Sequence, residues 1–482
     1  MPAPIALVPL PRSAEWTAAA PFVVGADTVV VVGPTPAETA LGELATELLS
    51  RVTGHRLRAV QDPGAGAAIR FRLVPGGRSE AYTLTVGADG VLVEAGDPDG
   101  LAHGLSTLRQ VLAQTGTELP AGRIEDAPRF AWRGLSVDIA RHFFGPAELR
   151  RVVELMADHK LNVLHLHLSD DQGWRIDLPS HPELAELSGA SAVDGDPGGF
   201  LTGGDYRELV AFAAVRGIRV VPEVDVPGHV NAALHAVPEL TPDGTAADVY
   251  TGIEVGFSKL AADLPATEPF LRDVFRDLAA LTPGEYLHIG GDEVLTMEPA
   301  EYARLIDMAA RAVRDTGKKV VGWQEIATTP LEPGTVVQFW DPREDVTPFV
   351  EAARAGAQLL MSPGSKAYLD MQYHEGFPLG LHWAGYVALR DSYDWEPTTL
   401  IEGLPADAVI GVEAAVWTET LRTMDDLTTM LLPRLAAVAE VAWTDGDRRD
   451  WDDFAGRVAA QAGDWRARGI VFHPAEPVEW PR

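Results

Sequence analysis

The chain has 482 residues, 46% of them hydrophobic, which is enough to fill the cores of about two to three domains. Acidic residues outnumber basic ones by 70 to 39, and the net charge of −31 repels nucleic acids and anionic membranes. Neither is expected as a partner. The chain has no cysteine, which excludes disulfides, thiol catalysis and thiolate metal sites.

The beginning of the chain carries no targeting pattern. Residues 1–16 lack a basic segment followed by a long apolar one, and no run approaches the ~18 apolar residues of a membrane span. These observations predict a cytoplasmic protein, with a secreted protein that has lost its signal as the alternative. The absence of cysteine fits either compartment, and composition leaves the oligomeric state open.

Residues 1–125 have the pattern of a small α+β domain. Strands are predicted at 26–33 and 68–74, and a hairpin at 82–86 and 91–96 is joined by GADG. Helices are predicted at 35–54 and 98–116. The segment AGRIEDAPRFAW at 121–132 is interpreted as a polar link, which places the domain boundary near residue 125.

From residue 133 onward, short apolar strands alternate with amphipathic helices, a pattern typical of a parallel sheet. Leu149, Val152, Val153 and Met156 form one such helical stripe. Eight strands are predicted to begin at residues 133, 161, 218, 286, 318, 335, 357 and 409. Residues 126–482 are therefore predicted to form a (β/α)8 (TIM) barrel. A doubly wound sheet is the alternative, but RHFFG after the first strand lacks the G-x-G-x-x-G fingerprint.

A polar or aromatic side chain follows each predicted strand, at the end where such barrels carry their chemistry. In strand order they are Arg141; Asp170 and Asp171; Asp225 and His229; Asp292 and Glu293; Trp323; Trp340; Tyr368 and Asp370; and Trp417 and Glu419. Convergence from eight strands on one rim is hard to explain by packing alone. The sequence therefore predicts one site at this rim.

The residue types at this rim favour a neutral, polyhydroxylated ligand. Carboxylates and an arginine can hydrogen-bond hydroxyl groups, while indole faces can stack on the apolar faces of sugar rings. A phosphate site would require a glycine-rich loop and clustered basic residues. The chain has only five lysines, at positions 160, 259, 318, 319 and 366.

Simpler interpretations exist for several of these residues. A tryptophan is more often part of a core than of a ligand pocket. The Asp292–Glu293 pair resembles a solvated turn, but it follows HIGG at the end of a buried strand. Asp225 and His229 flank a Pro-Gly turn, so they could stabilise that turn or tune an acid. Arg141 could pair with a surface carboxylate.

His165 and His167 share one face of the second strand. They could be metal ligands, or they could be packed histidines held by hydrogen bonds, because an isolated HLH motif is weakly specific. The sequence leaves both possibilities open.

Nine motifs in order across the barrel give the chain a family resemblance. They are RGLSVDIARHF at 133–143, HLHLSDDQGWR at 165–175, PEVDVPGH at 222–229, HIGGDEV at 288–294, GWQE at 322–325, QFWD at 338–341, AYLD at 367–370, SYDWEP at 392–397 and EAAVWTE at 413–419. With these motifs the chain resembles the family 20 glycoside hydrolases, the β-N-acetylhexosaminidases. Residues 1–125 resemble the small domain that precedes the barrel in many members.

The resemblance implies a mechanism without a cofactor, a metal or a protein nucleophile. Glu293 would be the general acid and then the base, while the substrate's own 2-acetamido oxygen attacks the anomeric carbon. Asp292 would accept the acetamido N–H, and Tyr368 would donate to the acetamido oxygen. Adjacent carboxylates raise each other's proton affinity, which suits an acid that works near neutral pH.

The resemblance also assigns the surrounding residues, and the implied partner is a small carbohydrate with a terminal N-acetylhexosamine. The acetamido pocket would be walled by Trp323, Trp340 and Trp417, with Trp383 as a further wall. Hydroxyls of the terminal sugar would be bound by Arg141, Asp370 and Glu419, which makes the enzyme exo-acting. Asp170, Asp225 and His229 would support Glu293.

Two rival functions remain at this point. A metal-dependent amidohydrolase barrel could use His165, His167 and Asp170, although its later strand ends would need further histidines where Trp323 and Trp340 stand. A non-catalytic amino-sugar-binding protein would need the same indoles but no acid. The preference for gluco or galacto substrates and the natural aglycone are not determined by the sequence.

Overall fold

The N-terminal part of the chain forms a mixed sheet with two helices. A computed structural model describes residues 5–62 and 67–481, so the predicted outer domain limits at 1 and 482 lie outside the described residues. The strands are β1 Ser13–Trp16, β2 Phe22–Val23, β3 Val29–Val31, β4 Arg58–Val60, β5 Ala68–Leu73, β6 Tyr82–Gly87, β7 Gly90–Ala95, β8 Glu118–Leu119 and β9 Gly122–Asp126. Seven of them form one sheet in the order β1-β9-β6-β7-β5-β3-β4, and β2 pairs with β8.

Both predicted helices are present, as α1 (Pro36–Thr53) and α2 (Pro98–Thr115). Thr35 and Glu38 form a reciprocal capping box at the start of α1, and Gly54 ends it in the left-handed conformation. The Asp97 side chain caps α2. The predicted hairpin is the antiparallel pair of β6 and β7.

The prediction of a polar link at 121–132 was wrong in its first half. Residues 122–126 form β9, which lies between β1 and β6 in the sheet. Ile124 is buried there, while Arg123 and Glu125 on either side are exposed, so one apolar residue is all that marks the strand. The sheet ends at Asp126. The division of the chain at residues 125 and 126 stays a prediction.

The second part of the chain is the predicted barrel. Its strands are β10 Trp132–Asp138, β11 Val163–His167, β12 Ser169–Asp170, β13 Gly173–Trp174, β14 Arg219–Glu223, β15 Tyr286–His288, β16 Lys319–Trp323, β17 Val336–Phe339, β18 Gln358–Met361 and β19 Val409–Val416. Of these, β12 and β13 form a separate two-stranded ribbon. Eight of these strands pair in parallel in chain order, and β19 closes the barrel against β10. The fold prediction is confirmed.

Helices lie between the barrel strands along the chain and after the last strand. They are α3 Pro146–Asp158, α4 Pro182–Ser188, α5 Gly203–Ala214, α6 Asn231–Ala236, α7 Thr267–Leu281, α8 Pro299–Asp315, α9 Thr347–Arg354, α10 Gly364–Ala367, α11 Leu389–Tyr393, α12 Met424–Leu431, α13 Arg434–Trp443 and α14 Trp451–Ala467. Across residues 5–62 and 67–481, every helix is too short or too polar to cross a membrane.

The interior of the barrel has an apolar lower layer and a polar layer above it. The lower layer consists of Trp132, Val163, Val221, Tyr286, Val321, Val336 and Leu360, all buried in one cluster. Two residues further along their strands, His165, Glu223 and His288 are buried instead. Side chains of a parallel barrel point inward at every second position. The polar layer therefore lies directly beneath the rim where the strands end.

Buried charges join the N-terminal domain to the opposite, amino-terminal end of the barrel. Lys160, just before β11, donates to Asp126 at the end of β9, with 2.9 Å between Nζ and Oδ2. The Asp126 carboxylate also accepts the indole N–H of Trp443. Arg133 on β10 forms a second ion pair with Glu80. The two domains are thus linked by one fully buried ion pair and one partly buried ion pair.

Lys160→Met is expected to lower the free energy of unfolding by about 3–5 kcal/mol, because Asp126 would keep a buried charge without its partner. Chemical denaturation of the full chain measures the change. Lys319→Met is the matched control, since the Lys319–Glu285 pair is exposed and worth less than about 1 kcal/mol. Equal destabilisation by the two variants would contradict a structural role for the buried pair.

Candidate active site

The turn after β15 places the Asp292–Glu293 pair at the rim. Gly290 and Gly291 have positive φ values of 70° and 109°, and a Cβ on Gly290 would lie 1.7 Å from Asp225 Oδ1. Only glycine fits this approach. Glu293 has a φ of 50°, a strained conformation for a residue with a side chain. The HIGG sequence thus allows the chain to turn sharply and present both carboxyl groups at the rim.

His229 lies behind both carboxyl groups. Its Nε2 is 3.4 Å from Glu293 Oε2 and 3.6 Å from Asp292 Oδ2. Its Nδ1 is 3.2 Å from Asp170 Oδ1, and Arg141 Nη2 is 2.8 Å from the other oxygen of Asp170. The predicted supporting residues Asp170 and His229 therefore contact each other, and His229 also contacts both members of the acid pair.

Five aromatic side chains form one cluster beside the acid pair. Trp340 lies parallel to Tyr368 at a centroid distance of 6.3 Å and perpendicular to Trp383 at 5.5 Å. Trp417 contacts Tyr368 at 6.3 Å and Trp323 at 5.9 Å. All five residues were expected at a sugar site, and the structure brings them together.

Arg141 and Asp370 both lie near Glu419, and Arg141 also contacts Trp417. The Arg141 guanidinium lies over the Trp417 ring at 5.0 Å. Burial and the negative charge of Glu419 raise the pKa of Asp370 well above its usual value. Both carboxyl oxygens of Asp370, and Nε and Nη1 of Arg141, are buried without a hydrogen-bond partner among the described residues. Such groups suit a polar ligand that would satisfy them.

Asp292 in the acid pair and the neighbouring Asp225 both have raised pKa values. Burial raises the pKa of Asp292 to about 6; the positive charge of His229 opposes this rise, and the carboxylates of Glu293 and Glu223 add to it. Burial and the charge of Asp292 raise the pKa of Asp225 well above its usual value. The neutral form of Asp225 is therefore favoured beside Asp292, whose pKa is about 6.

Glu325 was missed as a site residue, although it ends the GWQE motif. Its carboxyl oxygens lie 3.1 and 3.2 Å from the indole nitrogen of Trp340. Burial and the charge of Asp292 raise its pKa to about 8. Glu223 and Glu413, both inside quoted motifs, were also given no role, yet Glu223 accepts the indole N–H of Trp323. Glu223 is the last residue of β14 and Glu413 lies inside β19, and the sequence pattern of these strands does not indicate what either carboxylate contacts.

His165 and His167 both lie inside the barrel with carboxylate partners. His167 contacts Glu223 through Nδ1 at 2.6 Å and Asp170 through Nε2 at 2.8 Å. His165 contacts Glu413 through Nδ1 at 2.8 Å. Four buried triads in this region bring three ligand atoms within 4.8 Å of one another: His165, Glu223 and His288; His167, Glu223 and Asp225; Asp170, Asp171 and His229; and Asp225, His229 and Asp292. The donor set could hold a cation, but carboxylates already engage both ring nitrogens of His167.

A barrel with two adjacent acids beside an aromatic pocket defines a class of carbohydrate-cleaving enzymes. Comparisons with known proteins agree. The chain matches the description "Glycosyl hydrolase family 20, catalytic domain" over residues 130–302 and 298–446, and "Glycosyl hydrolase family 20, domain 2" over residues 4–127. This chain belongs to glycoside hydrolase family 20.

Individual relatives match over nearly their whole length. A β-N-acetylhexosaminidase of Cellulomonas fimi is 57% identical over 99% of this chain and 97% of the relative. A Streptomyces plicatus β-hexosaminidase variant, solved in complex with its product GlcNAc, is 44% identical with a TM-score of 0.96 and covers 100% of this chain and 99% of its own. The same enzyme in complex with Thio-NAglucal is 43% identical with a TM-score of 0.96, over 100% of this chain and 99% of its own.

Proposed function

We propose that this β-N-acetylhexosaminidase removes terminal β-linked GlcNAc or GalNAc with the help of the substrate's acetamido group. One observation carries the mechanism: Asp292 Oδ1 is a buried acceptor that lacks a partner in the described part of the chain. Asp292 is close enough to Tyr368 that, after burial, its charge is the largest cause of that phenol's raised pKa. An acetamide offers one N–H and one carbonyl oxygen, which complement this carboxylate and hydroxyl.

In the first step, Glu293 gives its proton to the glycosidic oxygen and the C1–O bond breaks. The acetamido oxygen forms a bond to C1, and the positive charge of the resulting oxazolinium ion is balanced by ionised Asp292. In the second step, Glu293 takes a proton from water, whose oxygen attacks C1 and reopens the ring. Two displacements at C1 retain the β configuration.

The pocket walls and the hydroxyl-binding residues orient the terminal sugar and its acetamido group. Trp323, Trp340 and Trp417, with Trp383, exclude water and hold the acetamido group close to C1. A fixed near-attack geometry can supply several kcal/mol of the rate enhancement. Arg141, Asp370 and Glu419 would bind hydroxyls of the sugar; closing the pocket behind that ring makes the enzyme exo-acting.

The supporting residues influence the charge and the orientation of the acid pair. The positive charge of His229, which faces both carboxyl groups, favours ionised Asp292. Asp170 orients His229, and the raised pKa of Asp225 favours a neutral group that adds no second negative charge beside Asp292. Residues 1–125 are proposed to be an accessory domain, since their contacts lie at the end of the barrel opposite the site.

Release of nitrophenol from the β-N-acetylglucosaminide, the β-N-acetylgalactosaminide and the β-glucoside tests this function, with and without EDTA. We expect cleavage of the two acetamido sugars only, unaffected by EDTA. Comparable cleavage of the glucoside would contradict acetamide participation. Activity lost with EDTA would favour the metal-dependent alternative built on His165 and His167. Binding of GlcNAc without any turnover would favour a sugar-binding protein.

A further inference from the structure

A column of alternating carboxylates and imidazoles runs from the site down the inside of the barrel. In order, its members are Glu293, His229, Asp170, His167, Glu223, His165 and Glu413. Successive members approach within 3.4, 3.2, 2.8, 2.6, 3.1 and 2.8 Å. At its lower end, Glu413 accepts the indole N–H of Trp132, which belongs to the apolar layer. We call these seven residues the axial column.

Glu223 is the member of the column that also contacts the substrate pocket. Its Oε1 accepts the indole N–H of Trp323 at 2.8 Å, and its Oε2 accepts from His167 at 2.6 Å. His165 Nε2 lies 3.1 Å from Oε2. A single carboxylate, with no measurable exposure, thus holds a wall of the acetamido pocket and the histidine behind Asp170.

Each histidine at the centre of the column lies between two carboxylates, which favour its charged form. Burial alone would lower the pKa of His167, but Glu223 and Asp170 raise it to about 10. In the same way, Glu223 and Glu413 overcome burial and raise the pKa of His165 to about 9. Burying such charges is costly, and an apolar layer like the one below would avoid the cost. Stability alone would therefore favour apolar residues at these positions.

We infer that Glu223 is a positioning residue for the reaction, which fixes the Trp323 wall through one oxygen and the His167–Asp170–His229 support of the acid pair through the other. This inference rests on the proposed function, in which Trp323 bounds the acetamido group and Glu293 is the acid. Glu223 touches neither the substrate nor the reacting atoms. It acts through the orientation of Trp323 and through its charge.

The charges of the axial column influence the pKa of Asp292. The ionisation of Asp292 in turn determines the acid limb of the pH profile of kcat/KM. Charged or titratable groups close to Asp292 include His229, Glu293, Glu223, Asp225, Glu325, Tyr302 and Tyr368. The positive charge of His167 lies 2.6 Å from Glu223 and offsets its negative charge. Glu223 disfavours ionised Asp292. Its neutralisation is expected to move the acid limb to lower pH, and loss of a positive charge at His167 should move it to higher pH.

The test compares kcat/KM between pH 4 and 8 for Glu223→Gln, His167→Gln and the unaltered enzyme on the β-N-acetylglucosaminide. A lost hydrogen bond between charged groups corresponds to roughly a 10- to 100-fold loss. We expect both variants to lose kcat/KM by about that factor, mostly in kcat, with acid limbs displaced in opposite directions. A role in stability alone does not produce opposite displacements.

Glu440→Gln is the matched control, because Glu440 is equally buried but pairs with Arg457 on α14. It is expected to lower thermal stability while leaving the acid limb in place. A second readout is the preference for N-acetyl over N-butyryl substrates. The Gln side chain still offers an oxygen to Trp323, so Glu223→Gln should keep that preference, whereas Glu223→Ala should relax it several-fold.

Glu223→Gln and His167→Gln each test the inference independently, so one of them suffices if the other fails to fold. Activity of Glu223→Gln within threefold of the unaltered enzyme, or an acid limb that stays in place in a folded variant, would overturn it. For His167→Gln too, activity within threefold of the unaltered enzyme or an unmoved acid limb in the folded variant would overturn the inference. Failure of the proposed function is recognised separately, because it would appear in the unaltered enzyme as cleavage of the plain glucoside.

Discussion

Glu293→Gln is expected to lower kcat for an unactivated disaccharide by about 10²- to 10⁴-fold, with KM changed little. The amide has nearly the shape of the acid and cannot transfer a proton, so the loss measures positioned acid–base catalysis. His229 stays within reach of the new side chain, and the aromatic pocket is untouched. Steady-state kinetics on the disaccharide and GlcNAc binding by calorimetry measure the two effects.

The matched control is Glu298→Gln, which removes the same charge from an exposed side chain at the start of α8. It should leave kcat unchanged. The loss in Glu293→Gln should shrink with a dinitrophenyl leaving group, which departs without protonation, as long as the first step limits the rate. Retention of disaccharide cleavage within tenfold of the unaltered enzyme would exclude Glu293 as the acid.

Asp292→Asn is expected to lower kcat by about 10²- to 10³-fold, the range found when one preorganised electrostatic partner of a developing charge is removed. The asparagine cannot balance an oxazolinium charge, and one of its rotamers turns an amide N–H towards the acetamido N–H. In contrast to Glu293→Gln, the loss should persist with a dinitrophenyl leaving group. Comparison of both leaving groups on one variant separates the two roles.

The pH profile gives an independent check of Asp292. Because burial holds its pKa at about 6, the unaltered enzyme should lose kcat/KM as the pH falls through about 6 and this carboxylate is protonated. Asp292→Asn should lack that acid limb. An acid limb that persists at the same pH in Asp292→Asn would assign it to another group and contradict the proposed role.

The sequence alone predicted the barrel and the position of its site, for physical reasons. The strands of a parallel barrel are buried on both faces, so each appears as a short apolar run, and all of their carboxyl ends meet at one rim. Asp170, Asp292 and Trp417 could therefore be grouped although they are far apart in the chain. The strand β9 was missed because a single apolar residue, Ile124, distinguishes it from a polar link.

Tertiary structure decided which polar groups form pairs. His165 and His167 looked equally like metal ligands and packed histidines, and only the fold shows that carboxylates of other strands engage both. Glu223 and Glu413 lie within strands whose other residues are mostly apolar, where the sequence pattern does not indicate which face a charge occupies or what it meets across the barrel.

The local chain thus determined the strands, the glycine turn before Asp292 and the set of residues at the rim, because backbone sterics and apolar periodicity are properties of neighbouring residues. Only the closed barrel determined the axial column and the raised pKa of Asp292. Desolvation and charge interactions act through space, and they depend on which strands face each other across the barrel.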